Sequence, residues 1–220
     1  MKFEAIVKRI SLARESKVES IMPFDNFYDR VFAAGELLDF VEDKKADRKI
    51  RYEARRYVVV ALASSMETYF KRMAQVFIQG GWYKDTFLEI LRQDKISLAD
   101  LVKMNKEKLT LGEIISVSHS LQDLDAINYF FSKMLGINDF LKELETVELM
   151  PESGEKYVLI NEYPDFRGKI GELLNLRHLI IHHEGFKGIL GFKRLVGIAQ
   201  RVVALVSAAN EYLIEKIPED

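Results

Sequence analysis

Ile170-Gly-Glu-Leu-Leu-Asn-Leu-Arg-His-Leu-Ile-Ile-His-His183 carries a helical pattern and, inside it, a contradiction. At roughly 100° per residue, Ile170, Leu173, Leu174, Ile180 and Ile181 share one face, and Arg177 lies in the middle of that stripe. A face that packs into a core should not carry a cation, because burying a guanidinium without a partner is strongly unfavourable. Either the helix docks against something that needs the charge, or the stripe is not all core.

The neighbouring segments extend the helical reading in both directions. Pro164 is expected to open this helix, and Gly185, Gly188 and Gly191 punctuate the connection to a final helix from about Phe192 to Lys216. Upstream, Phe24, Phe27, Val31, Leu37, Leu38 and Val41 recur at helical spacing. After a charged run, a long helix is expected from Arg51 to Gly80, built on Val58, Val59, Leu62, Met66, Tyr69, Phe70, Met73 and Phe77. Between them, shorter helices are expected near 84–93, 97–104, 110–119, 123–135 and 137–145, with capping signals at Ser97–Asp100 and Thr110–Glu113. Tyr157–Ile160 reads as a short extended piece in an irregular stretch. The expected fold is all-α: four long helices, a helical insert at 83–163, and an N-terminal helical extension at 1–22, forming a single domain over 1–220.

Composition narrows the function classes. The 220 residues are 48% hydrophobic with 14 Phe and 9 Tyr, so the chain can build one good-sized core. A formal charge of -2 argues against a protein that coats nucleic acid, while leaving room for a local basic patch. Zero cysteines remove disulfides, cysteine-ligated metals and a cysteine nucleophile. Neither a signal peptide nor a membrane-length apolar run is present in the sequence, so a cytoplasmic location without membrane contact is expected.

Four histidines occur, His119, His178, His182 and His183, and three of them crowd behind Arg177. Histidine shuttles protons near neutral pH, and arginine offers a planar donor fork that matches phosphate oxygens. RNA brings its own nucleophile, the 2′-hydroxyl, so a base and a phosphate clamp suffice for cleavage without a metal. Arg177 and His182 stand five residues apart, about 140° around an ideal helix. They converge on one ligand only if the helix ends near His182 or two copies meet there. His183 falls on the opposite side with Leu179 and reads as a capping or surface residue. His178 and His182 also have the i, i+4 spacing of a zinc pair. The glutamate of H-E-x-x-H and a third ligand are lacking, so neither metal nor cofactor is assigned.

Arg177-His178-Leu179-Ile180-Ile181-His182 resembles the motif of the HEPN superfamily, an arginine and a histidine separated by four to six residues with a polar residue after the arginine. Ala61–Phe70 resembles the second long helix of that superfamily, and His119–Phe131 followed by Leu135–Phe140 resembles the insert of its RiboL-PSP-type branch. The resemblance implies a HEPN-like bundle and a metal-independent endoribonuclease of toxin or phage-defence type. Such a protein works as a homodimer whose two motifs share one composite site, acts on RNA, and can be paired with an antitoxin protein. It implies that Arg177 contacts the scissile phosphate, His182 transfers protons, and His178 orients substrate. Asn175 lies on the same polar flank, Lys187 and Lys193 are candidates to touch RNA backbone, and Glu67 is a candidate to hold Arg177 from behind. Where one HEPN subgroup has a modifiable tyrosine two residues after the histidine, this chain has Glu184, which speaks against that mode of control.

The plainer alternatives stand beside these expectations. Arg177 could be a structural arginine paired with Glu67 or another carboxylate inside the bundle, and His182 a histidine stabilised at a helix C-terminus. The basic run Lys44, Lys45, Lys49, Arg51, Arg55 and Arg56 could track phosphates, but its interleaved acids favour a solvated helix start. As a whole, the chain could be a non-catalytic helical module that binds RNA, nucleotide or a partner protein.

Overall fold

The computed structural model describes residues 23–44, 46–83, 86, 106, 121–150, 154–183, 186–188 and 191–218. The helices expected at 1–22, 84–93, 97–104 and 110–119, together with His119 and Glu184, lie outside the described residues, apart from isolated positions.

Pro23 starts α1 (Pro23–Asp43), in the first turn, where an N–H would have no intrahelical acceptor. Phe27, Ala34, Leu38 and Val41 form its buried stripe. A short link then folds the chain back into α2 (Arg48–Gln79), whose N-cap Asp47 accepts a 2.7 Å hydrogen bond from the Lys49 amide. Glu42 near the end of α1 takes both Arg55, at 2.5 Å, and Arg51, at 3.7 Å, from the first turns of α2. The basic run is therefore partly consumed in holding two helices together, which leaves less of it for phosphates. Lys45 lies outside the described residues.

Along its middle α2 is buried on most sides, with Val58, Val59, Leu62, Ala63, Met66, Tyr69, Phe70, Met73, Ala74 and Phe77 all in the core. Burial all round is the signature of a central helix, which the other elements enclose. Gly80 and Gly81 terminate it, Gly81 with a φ of 73° that an L side chain rarely adopts.

Two capped helices follow. In α3 (Leu124–Leu135) the Asp123 carboxylate receives the Ala126 amide at 2.7 Å, and Gly136 closes the helix in the left-handed conformation. In α4 (Phe140–Glu145) Asp139 accepts from Lys142. Ser132 Oγ and Asn128 Oδ1 receive the amides of Phe140 and Leu141, so α3 caps α4 as well as packing on it. With Asp139 as its N-cap, α4 begins at Phe140 rather than near residue 137. Phe70, Phe131, Phe140 and Tyr212 then make an aromatic chain with neighbouring ring centroids 4.9–6.0 Å apart, locking α2, α3, α4 and the last helix around one core.

The expected extended piece is only half right. Tyr157–Val158 (β2) pairs antiparallel with Glu148–Leu149 (β1), but Leu159 and Ile160 belong to a helical turn, α5 (Leu159–Glu162). Leu159 is fully buried, and helical geometry is what turns it inward. Next, α6 (Phe166–His182) begins two residues after Pro164, with Asp165 at its N-cap position; the Asp165 carboxylate accepts from Arg201 of α7 (Phe192–Glu215) at 2.9 Å and not from a helix amide. The same guanidinium lies over the Tyr163 ring at 5.0 Å. The long helices α1, α2, α6 and α7 contact one another around a shared core, so the described part of the chain is predominantly helical.

The core also holds a buried hydroxyl. Among the described residues the Tyr69 hydroxyl has no hydrogen-bond partner, although the side chain is 1% exposed. Tyr69→Phe is therefore expected to raise stability by about 1 kcal/mol, since an orphaned buried hydroxyl costs that much or more. Burial, and secondarily the charge of Glu211, hold this phenol protonated well above its usual range. The unfolded chain releases that proton near pH ~10, so the native state binds more protons there and stability falls as pH rises further. Urea denaturation of both proteins between neutral pH and pH ~11 checks the gain and the flatter slope of the variant.

Candidate functional site

Arg177 faces α2, and what it meets there is Glu67. Arg177 Nη2 lies 3.1 Å from Glu67 Oε2, with the two side chains 18% and 10% exposed. Glu67 is a hub: its Oε1 also accepts from Lys71 Nζ at 2.5 Å and from Gln122 Nε2 at 3.3 Å. A carboxylate enclosed at this depth needs such partners, and three donors surround it. Arg177 Nε is buried and has no partner among the described residues, which leave the guanidinium fork only partly satisfied.

This geometry answers the contradiction in the sequence. Ile170 and Leu173 are fully buried, Leu174 and Ile180 are half-buried, and Ile181 is 48% exposed. The stripe fades from core to solvent toward the end of α6, and Arg177 stands in the transition with a carboxylate behind it.

Just beyond Arg177 the surface becomes an imidazole cluster. His178 and His182, one helical turn apart and both exposed, have ring centroids 4.8 Å apart with planes at 45°. The helix stops at His182, and His183 takes extended backbone angles, φ -115° and ψ 102°. That change of direction brings the His183 ring to 5.8 Å from His178. The expectation that His183 lies on the opposite side is thus corrected: it assumed the helix continues one residue further than it does.

The remaining candidates divide. Asn175 is exposed on the same side of α6 as His178 and His182, as the helical spacing requires. Lys187 and Lys193 are exposed beyond the helix end, in the connection and in the first turn of α7. The connection itself is clasped by Tyr52, which the sequence does not single out, and by Arg56, which reads there only as part of a basic run. Tyr52 Oη donates to the Phe186 carbonyl at 3.0 Å, and Arg56 Nη1 donates to the same oxygen at 2.9 Å and to Tyr52 Oη at 3.2 Å. Their i, i+4 spacing on α2 was the available signal; their partner, a backbone carbonyl 130 residues away, leaves none.

Among the described residues, no group of three or more His, Cys, Asp or Glu is arranged to hold a metal ion, and no helix is long and apolar enough to cross a membrane. An apolar cavity of about 470 Å³ opens between α1 and α7, lined by Tyr28, Val31, Phe32, Tyr163 and Val203 among others, and none of the candidate residues borders it. Comparison with protein-family models, with curated proteins and with solved structures gives no match.

Proposed function

We propose that this chain is a metal-independent endoribonuclease of HEPN type, cleaving RNA by attack of the 2′-hydroxyl at a composite site formed by two copies. What carries the reading is one juxtaposition: a guanidinium held by Glu67, one donor unpaired among the described residues, beside exposed imidazoles where the helix ends. In this reading Arg177 takes a non-bridging phosphate oxygen and stabilises the charge that gathers in the transition state. His182 transfers the proton from the 2′-hydroxyl or to the leaving 5′-oxygen, and the copy across the two-fold supplies the complementary role. His178 and Asn175 orient the nucleotide, and Lys187 and Lys193 neutralise flanking phosphates. The HEPN-like arrangement of the four long helices, the RNA substrate, the dimer, a toxin or defence role and an antitoxin partner all belong to this proposal.

The test is incubation of the protein with mixed RNAs in EDTA, followed by analysis of product ends. Fragments ending in a 2′,3′-cyclic phosphate and beginning with a 5′-hydroxyl are expected. Cleavage that requires added metal, or 3′-hydroxyl ends, would overturn the mechanism.

The two-fold arrangement makes its own prediction. Gly168 and Gly171 sit exposed within α6, and a Cβ built on either meets nothing within 4 Å. Glycine inside a helix costs about 0.5–1 kcal/mol relative to alanine, and nothing among the described residues requires it here. Gly171→Ala is therefore expected to stabilise the protomer by that amount. If a second copy packs on this face, the added methyl weakens self-association. Thermal melting paired with sedimentation equilibrium reads both effects, and unchanged self-association in the variant would remove this face from the interface.

A second reading is favoured by the same ion pair. Because Arg177 already meets Glu67 within one protomer, it could serve only to join α6 to α2 in a non-catalytic module that binds RNA, nucleotide or a partner protein. That module predicts binding without product under any condition.

A further inference from the structure

We propose that His178 and His182 form a bidentate chelating site for a divalent transition metal of the zinc, copper and nickel class, and that the bound metal silences RNA cleavage. The inhibitory half rests on the nuclease reading above; the binding half stands alone. The two rings are exposed, so their nitrogen lone pairs are reached without desolvating a buried group. Their spacing is compatible with a chelate. A metal ~2.1 Å from an imidazole nitrogen lies ~3.2 Å from the ring centroid, so two rings subtending ~90–110° at the metal have centroids ~4.5–5.2 Å apart. The observed separation is 4.8 Å, with the pair on successive turns of one helix. At 5.8 Å from His178, the His183 ring falls outside that window and is not required.

Ligand type selects the metal. Imidazole suits zinc, copper and nickel, whereas magnesium and calcium prefer carboxylate and carbonyl oxygens. Leu179, Ile180 and Ile181 between the histidines add no ligand, so water completes the coordination sphere and the site is a reversible one of micromolar strength. It differs from a catalytic metal centre in its effect. The metal occupies the lone pair that His182 needs to move a proton, and coordination requires the neutral imidazole. Cleavage that proceeds in EDTA is then suppressed by zinc.

Titration calorimetry of the full chain with Zn²⁺ and Cu²⁺ in a non-chelating buffer tests the site directly, with Mg²⁺ as the control ion. One micromolar binding event per protomer is expected, lost or weakened at least about tenfold in His178→Gln and in His182→Gln, since each removes one of two ligands. His183→Gln is expected to bind as wild type does. Wild-type affinity in either ligand variant, loss of binding in His183→Gln, or no heat with Zn²⁺ or Cu²⁺ overturns the site. The cleavage assay in the same titration separates the two halves: saturating zinc that leaves an active nuclease at full rate overturns the inhibition. A protein inactive in EDTA fails the nuclease reading and takes the inhibition with it, while the calorimetry still decides the metal site.

Discussion

Replacing His182 with alanine is expected to slow RNA cleavage in EDTA by about 10²–10⁴-fold, the range over which a positioned proton-transfer group accelerates such a step. The imidazole is exposed at the last position of α6, so removing it loses only the surface contact with the His178 ring and no core packing, and the variant should melt with wild-type protein. A loss of rate without a loss of stability therefore isolates chemistry from structure. Arg177→Lys makes the companion measurement. It keeps the charge beside Glu67 but removes the planar fork, so a phosphate clamp loses at least about tenfold while a simple ion pair is largely preserved. If His182→Ala and Arg177→Lys both cut RNA at the wild-type rate, the endoribonuclease reading fails, and the binding module takes its place.

How far the amino-acid sequence reveals these features depends on the distance over which each is specified. The long helices were legible because their signals are local: Pro23 at a helix start, the apolar spacing of Val58 to Phe77, and the Gly80–Gly81 stop are each contained in a few turns. The errors arose where a local signal was diverted by a distant partner. Pro164 reads as the opener of α6, which starts at Phe166 with the Asp165 carboxylate bound to Arg201, and the first amides of α4 go to Ser132 and Asn128 on the preceding helix. In the site, Arg177 was visible as an anomaly within a stripe, and Glu67 as a nearby acid on another helix. The pairing itself joins positions 110 residues apart, so periodicity offers the two residues but not their contact. His183 was misplaced by a single residue of helix length, and at a helix end one residue changes the direction of a side chain completely.

The Arg177–Glu67 pair offers the largest expected effect on stability and also discriminates the two functional readings. Glu67→Ala leaves a guanidinium that is 18% exposed without its carboxylate, and Lys71 and Gln122 without their shared acceptor. A destabilisation of about 3 kcal/mol is expected, because an unpaired enclosed charge costs more than the intact pair contributes. Removing both charges in apolar form, Glu67→Leu with Arg177→Leu, should restore most of that loss and bring the protein within about 1 kcal/mol of wild type. Urea denaturation of the two singles and the double at one protein concentration gives the coupling; fixed concentration matters because self-association adds to apparent stability. If the pair only joins α6 to α2, the double variant recovers whatever activity the singles lose. If Arg177 clamps a phosphodiester, the double variant is as stable as wild type and still cuts no RNA. A stable double variant with full cleavage would show that the arginine in the apolar stripe serves the fold alone.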